Sequence, residues 1–467
     1  MMIRVRFLWT LLLLLTMGVV NAQQKYRLTA EEATNMALKN TTELKNLQLD
    51  KEIQLAKNKE YVAQATPQLN GSVQMQHFFS IPVTLIPDFI SPAVYDVLTK
   101  NSVKDGSGNP ITKPSNGSQF FPAQFGVPWQ STAGFQFQQL LFQPDLFIAI
   151  SARKKAVDYT DANIRVMEDS VKSNLLRAYY SVLIAEKRKH YLDESIKRLE
   201  KLKIDQEKLF KNGFAEKLDI DKTQVSLNNL TTTSIQIERL IEIGYASLKF
   251  VLSIDQKDTL ELADVLTDDL VKKGLLEMGA FNYNDRKEIQ LLNVVRDLQG
   301  LDLKRQKLSF APTVSSYWSY SRNALRREFN FFDFNQKWFK SSLLGINLSV
   351  PIFDGGQKIQ RIKQANLNVE KINNTIQNLQ RAIDLQLKAA STQFKNALSS
   401  LDVQERNVQL AEKVYSTTKK KYEQGLGSSF ELLQTQTELE NAQSNYFQAL
   451  FDAVNAKISF TKALGKL

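Results

Sequence analysis

The sequence predicts an α+β membrane protein in which two related halves each join a pair of strands to long helices. Three observations predict it: an export signal followed by no apolar helix, a clustered placement of proline, and an internal repeat.

At the amino end, Arg4 and Arg6 precede an apolar stretch from Phe7 to Val20, then Val20-Asn21-Ala22 and the polar Gln23-Gln24. A basic start, a short apolar run and a small residue before a polar stretch is the layout of a secretory signal peptide, expected here over residues 1–22. The run falls short of the roughly 20 residues that a membrane helix needs. No later segment approaches a transmembrane helix, so the mature chain is expected either to stay in solution outside the cytoplasm or to enter a membrane as strands.

Composition narrows the class. With 467 residues, 43% of them hydrophobic, the chain has material for several cores or one extended one. The absence of cysteine removes disulfides, a thiol nucleophile and a lipid-bearing cysteine at the mature start. The formal charge of +11 falls to +9 once Arg4 and Arg6 leave. The remaining bases alternate with acids along helical segments without forming a basic stripe, which is the pattern of solvated helix faces rather than of nucleic-acid binding. His77 and His190, the only histidines, lie on different elements and make no metal centre. Asp264, Asp268 and Asp269 lie close in sequence but come without a nucleophile, base and orienter. With no phosphate-cradling glycine loop either, neither a cofactor nor enzymatic activity is expected.

Every proline lies between Pro67 and Pro144 or at Pro312 and Pro351, while 145–311 and 352–467 contain none. Helix interiors exclude proline and turn-rich strand regions tolerate it, so helical blocks alternate with strand blocks. In the helical blocks, Ile164, Val171, Leu175, Ala178, Val182 and Ala185 recur at helical spacing, as do Ile362, Ala365, Val369, Ile376 and Leu379. In the strand blocks the period is two. Leu69, Gly71, Val73 and Met75 interleave with Asn70, Ser72, Gln74 and Gln76, and Ala133, Phe135 and Phe137 with Thr132, Gln136 and Gln138. Val314, Ser316, Trp318 and Tyr320 oppose Thr313, Ser315 and Ser319, and Leu344, Ile346, Leu348 and Val350 oppose Gly345, Asn347 and Ser349. One apolar face for lipid and one uncharged polar face for a wet lumen, with aromatics such as Phe78, Phe79, Trp129, Phe331 and Trp338 at the strand ends, is the pattern of a membrane barrel.

The repeat organises the chain. Glu43-Leu44 and Pro67 match Glu288-Ile289 and Pro312, while Gly134 and Phe142 match Gly345 and Phe353. Gly213, Asp219, Thr223-Gln224 and Leu227 match Gly425, Glu431, Thr435-Gln436 and Leu439. A longer connection in the first half (78–128 against 321–340) accounts for the change of offset. The expected first repeat is 23–252, with strands near 67–77 and 131–142 and a turn near 213. A segment at 253–276 separates it from a second repeat at 277–467, with strands near 312–320 and 341–353 and a turn near 425. In each half a long helix of about 100 Å leads to a glycine turn and a shorter return helix. Four strands per chain cannot close a barrel, since the smallest use about eight, and lipid forbids an open edge. Further copies are required: two copies give eight strands and three give twelve.

At this point the residues resemble a known family. Gly425-Leu426-Gly427-Ser428, Glu431-Leu432-Leu433, Thr435-Gln436, Leu439, Asn441-Ala442, Tyr446 and Ala463-Leu464-Gly465 resemble the carboxy-terminal signature of TolC-like outer-membrane efflux proteins. Val350 to Gly356 resembles that family's strand-to-helix turn, and Leu28-Thr29, Glu32-Ala33 and Ala37 resemble its mature start. The resemblance covers nearly the whole mature chain. It implies a homotrimer whose twelve strands in the outer membrane continue into a periplasmic α-helical coiled-coil barrel. Such a trimer acts as the exit duct of a tripartite efflux or type I secretion system. It also implies that Gly213, Gly425, Gly427 and Ser428 form the periplasmic tip, where a periplasmic adaptor (membrane fusion protein) and an inner-membrane pump dock. Asp219 and Glu431 would ring the entrance with carboxylates, which favour cations. Placed in a helix's first turn, they equally suit its positive end. Where the family carries a further acid and a basic tie near the tip, this chain has Gln434 and Gly427, leaving Lys217 or Lys421 as substitutes. The rival class is a periplasmic coiled-coil adaptor or structural protein, which shares the helices but not lipid-facing strands.

Overall fold

The structure is a computed structural model that describes residues 24–113, 120–266 and 281–467. The signal peptide expected at 1–22, Asp268 and Asp269, and the end of the 253–276 segment lie outside the described residues. Chain contacts divide the molecule into two units, one of residues 58–151 with 304–362 and the other of the remaining segments.

The first unit is a sheet. Strands β2 (Gln68–His77), β5 (Trp129–Phe142), β7 (Thr313–Arg326) and β8 (Phe339–Ser349) pair antiparallel in that order. Proline punctuates them: Pro67 and Pro312 directly precede β2 and β7, where a missing N–H costs no ladder bond. β7 runs six residues beyond the expected end near 320, because Ser321 to Arg326 stay in register with Gly134 to Trp129. β8 stops at Ser349 rather than near 353. Asp354 takes over there, its two carboxylate oxygens accepting from Gly356 N at 3.1 Å and Lys358 N at 3.0 Å to start the next helix. The connection 78–128 carries structure of its own, a short antiparallel pair β3 (Val83–Pro87) and β4 (Phe120–Gln124) with a helix between them, Ile90–Lys100.

The second unit is mostly helical. Strand β1 (Lys25–Leu28) leads into α1 (Ala30–Asn40), whose start is a capping box between Thr29 and Glu32. α2 (Thr42–Gln64) follows, and α3 is the helix of the 78–128 connection. α4 (Pro144–Lys211), with proline at its first turn as that position favours, and α7 (Gln357–Glu423) are the long helices. They return through α5 (Lys217–Leu252) and α8 (Ser429–Ala463), while α6 (Lys287–Leu308) precedes β7. The order helix, two strands, long helix and return helix thus occurs in both halves of the chain.

The core of this unit joins residues far apart in sequence. Ala33 and Ala37 of α1, Leu175 and Tyr179 of α4, Leu248 of α5, Phe394 and Leu401 of α7 and Leu450 of α8 are all buried in one cluster. Small residues on α1 and α8 let the backbones approach, and the larger side chains fill the space between. At its edge β1 pairs in parallel with β6 (Thr259–Leu262). Tyr179 OH donates to Leu28 O at 2.9 Å and accepts from Asp264 N at 3.3 Å, while Asp264 Oδ2 accepts from Ala30 N at 2.9 Å. Asp264 is therefore a structural cap for α1.

A second knot holds the carboxyl end. Arg286, 4% exposed, pairs with Glu288 at 3.1 Å, donates to Gln386 Oε1 at 3.1 Å and to Ala463 O at 3.0 Å. Gly465, at φ +72, passes so close to this segment that a Cβ there would lie 2.7 Å from Asp285 O.

Candidate functional site

Two regions carry the features that sequence reasoning singled out: the turns joining long and return helices, and the faces of the sheet.

The two turns have the same geometry. After α4, Gly213 at φ +78 donates its N–H to Phe210 O at 3.0 Å, and Phe214 donates to Leu209 O at 2.8 Å. After α7, Gly425 at φ +76 donates to Tyr422 O at 3.0 Å, and Leu426 donates to Lys421 O at 2.9 Å. This pair of bonds around a left-handed residue is the Schellman motif, which satisfies the last carbonyls of a helix and requires the conformation glycine adopts without strain. Three residues on, each return helix begins. Glu216 is the N-cap of α5, and Ser428, which follows Gly427, is the N-cap of α8 with its hydroxyl accepting from Glu431 N at 3.1 Å.

Asp219 and Glu431 accordingly occupy the same place, the third residue of the first turn, where the helix end favours a negative charge. Glu431 is exposed and Asp219 half-buried. Asp219 lies near the end of α7: burial, with the charges of Asp219 and Asp205, raises the Tyr422 hydroxyl above its ordinary pKa. The starts of α5 and α8 border one groove of about 590 Å³, lined by Leu218, Lys222 and Val225 on one side and by Phe430, Leu433 and Gln434 on the other. Lys222 Nζ stands 5.5 Å from the Phe430 ring centre, a cation–π contact between the two return helices. The structure thus brings both turns to one place. Sequence reasoning missed Gln206, fully buried in α4, whose side-chain amide reaches Ser429 Oγ across to α8. A polar residue at a core position of a helical pattern was its only signal.

The sheet keeps its two faces apart. On one, Leu69, Phe137, Trp318 and Leu344 form a row across all four strands, as do Gly71, Phe135, Tyr320 and Ser342. On the other, Asn70, Gln136 and Ser319 align, and Thr132 Oγ1 donates to Asn323 Oδ1 at 2.8 Å from the next strand. The apolar face is open: Leu69, Val73, Leu344 and Ile346 are 66%, 71%, 74% and 73% exposed. At the end of the sheet where β2 ends and β5 begins, Trp129 packs with His77, Phe329 and Phe331 at ring distances of 4.2, 5.0 and 6.4 Å. His77 is part of this aromatic cluster, and His190 sits 6.2 Å from Tyr191. No group of metal-ligating side chains exists among the described residues, and no described helix is long and apolar enough to cross a membrane.

Comparison with known proteins agrees with this geometry. Residues 302–466 match the outer membrane efflux protein family model. The chain is 19% identical over 348 residues to outer membrane protein TolC of Vibrio cholerae, covering 72% of this chain and 77% of that protein. It is 22% identical over 328 residues to the alkaline protease secretion protein AprF of Pseudomonas aeruginosa, covering 68% and 66%. Its fold is similar to that of the Campylobacter jejuni CmeC outer membrane channel, with a TM-score of 0.68 at 16% identity over 94% of this chain and 85% of that one.

Proposed function

We propose, from the premise that this chain belongs to the TolC-like outer membrane efflux protein family, that three copies close a twelve-stranded barrel and serve as a passive exit duct. The chain is an outer-membrane protein, and its relatives bear the names of channels and of a secretion protein. What carries the trimeric barrel reading is the sheet: four strands, an exposed apolar face, and β2 and β8 at its edges. In hydrocarbon every backbone N–H and C=O must be paired within the protein, so those edges need partners. The edges of neighbouring copies supply them. Twelve strands leave room for an aqueous lumen, for which the glutamines, serines and asparagines of the second face are suited.

The same reading assigns the rest. The long and return helices of each copy form the periplasmic part of the duct, and the two repeats supply equivalent columns. The turns at Gly213 and Gly425, with Gly427 and Ser428, form the tip at which a periplasmic adaptor and an inner-membrane pump dock. Asp219 and Glu431 ring the entrance. The duct itself performs no chemistry; its partners supply the energy. In mild detergent the purified protein is expected to have the mass of three chains by light scattering. A monodisperse folded monomer would overturn the architecture.

A further inference from the structure

The apolar face of the sheet is interrupted by charge near its end. Val73, Ala133, Arg322 and Lys340 form the row after that of Phe135 and Tyr320, which puts a guanidinium and an ammonium side by side on the face otherwise suited to lipid. Both are exposed. Arg322 lies eight positions along β7 from Val314, which is near the start of the strand on the same face. At about 3.4 Å per residue and a tilt of about 40° these positions rise roughly 20 Å, close to the height of a barrel's apolar band. Charge is costly at mid-depth and cheap at this boundary, where lipid headgroups carry their phosphates.

The connection between β7 and β8 builds a pocket there. Arg326, buried, donates from Nη2 to Lys337 O at 2.8 Å and holds the connection down. Between the connection and the sheet lies a cavity of about 830 Å³, lined by Val73, Phe135 and Arg322 below and by Phe331, Phe334 and Trp338 above. Arg322 donates from Nε to Tyr320 OH at 3.4 Å. Asp333 also borders the cavity, but its carboxylate is engaged in its own turn, accepting from Asn335 N at 3.0 Å and Gln336 Nε2 at 3.4 Å. From 322 to 340 the chain carries five bases (Arg322, Arg326, Arg327, Lys337, Lys340) against two acids, Glu328 and Asp333. Phe334 is fully exposed and Phe332 is 73% exposed.

A slot with aromatic walls, Arg322 in its lining and Lys340 beside Arg322 on the next strand suits an amphiphile with acyl chains and a phosphate. We propose that this pocket binds a phosphorylated glycolipid of the outer leaflet. Arg322 and Lys340 meet the phosphate, the former able to present two N–H groups to it. The acyl chains lie along the rows of Phe135 and Trp318. The proposal rests on the barrel reading, which places this end of the sheet at the outer leaflet.

The test uses the whole channel in a phosphate-free neutral detergent, with native mass spectrometry to count bound lipid. The probes are monophosphoryl lipid A and the same glycolipid with its phosphate removed. The unaltered protein is expected to retain the phosphorylated form at least tenfold better, and millimolar inorganic phosphate is expected to leave that retention in place. Equal retention of the two glycolipids, which needs no variant, would overturn the site, and displacement by inorganic phosphate would overturn a lipid as its occupant. The double substitution Arg322→Gln with Lys340→Gln should abolish the preference while the assembled mass is unchanged; a preserved preference counts against these two residues and so against the proposal. Conductance in a phosphatidylcholine bilayer reads the barrel separately, so a conducting channel without glycolipid preference refutes the site alone.

Discussion

Gly213 and Gly425 are single residues on which two helix reversals depend, since each holds a positive φ inside a Schellman motif. A β-branched residue there meets a clash between its side chain and the backbone, costing about 2 kcal/mol. Gly425→Val is therefore expected to distort the tip and to lower crosslinking to the adaptor and export, while assembly in the membrane persists because β8 ends 76 residues earlier at Ser349. Unchanged crosslinking together with unchanged export would remove the turn from the docking surface. Glu440 makes a different prediction. Burial raises its pKa above the ordinary value, against the opposing hydrogen bond from Gln436 and the charge of Arg198. A carboxyl with a raised folded pKa contributes fully to stability below its unfolded pKa and loses that contribution as pH rises through the folded one. Glu440→Gln should raise the melting temperature at neutral pH and make no difference near pH 4. An equal gain at both pH values would show that the charge is not responsible. Glu288 has the reverse sign. Burial would raise it, but hydrogen bonds from Arg286 and from its own backbone, with nearby positive charge, outweigh that and lower its pKa, so its contribution is lost on acidification.

At the scale of elements, the strands and long helices were legible because their signals are local and redundant. Alternation in Leu69 to Gln76 or Leu344 to Ser349 needs no knowledge of the partner strand, and Pro67, Pro144 and Pro312 stand directly at element starts. The extra length of β7 was not legible, since Arg322 and Arg326 interrupt an apolar face that their position near its end makes tolerable. The strands and helix within 78–128 were missed because each is short and flanked by turn residues. Nor does any periodicity announce β1 and β6, four residues each, or Arg286, which makes its contacts with residues up to 177 positions away. At the candidate site the turn glycines were legible from their matched spacing. The role of Asp219 and Glu431 was not, because a helix start and a constricted entrance call for the same residue type. Replacing both together, by Asn and Gln, separates the two. If they ring an opening, cation preference in planar-bilayer recordings should fall, most at low salt where screening is weak. If they serve only their helices, the reversal potential under a salt gradient should not move, and the variant should lose only about 1 kcal/mol of stability.

Across the whole molecule, the two repeats share an element order yet differ in what joins their strands, a structured insertion in the first and the aromatic connection with its basic flanks in the second. Equivalent strands and helices suit a symmetric duct, whereas the connections are where one member of such a family acquires its own surface chemistry. The pairing of β1 with β6 has a further consequence, in time rather than in space. Lys25 and its partner Thr259 are separated by 234 residues, as are Ala30 and the Asp264 that caps its helix. A chain that crosses a membrane amino end first delivers β1 long before β6 exists outside, and a loop of that length must close before either contact forms. Throughout that interval Lys25 to Leu28 is an unpaired strand, and Ala30 N lacks the Asp264 carboxylate, so the segment is open to mispairing and to any chaperone that recognises extended chain. The early-emerging amino segment thus waits for the whole first half of the chain before β1 can pair with β6.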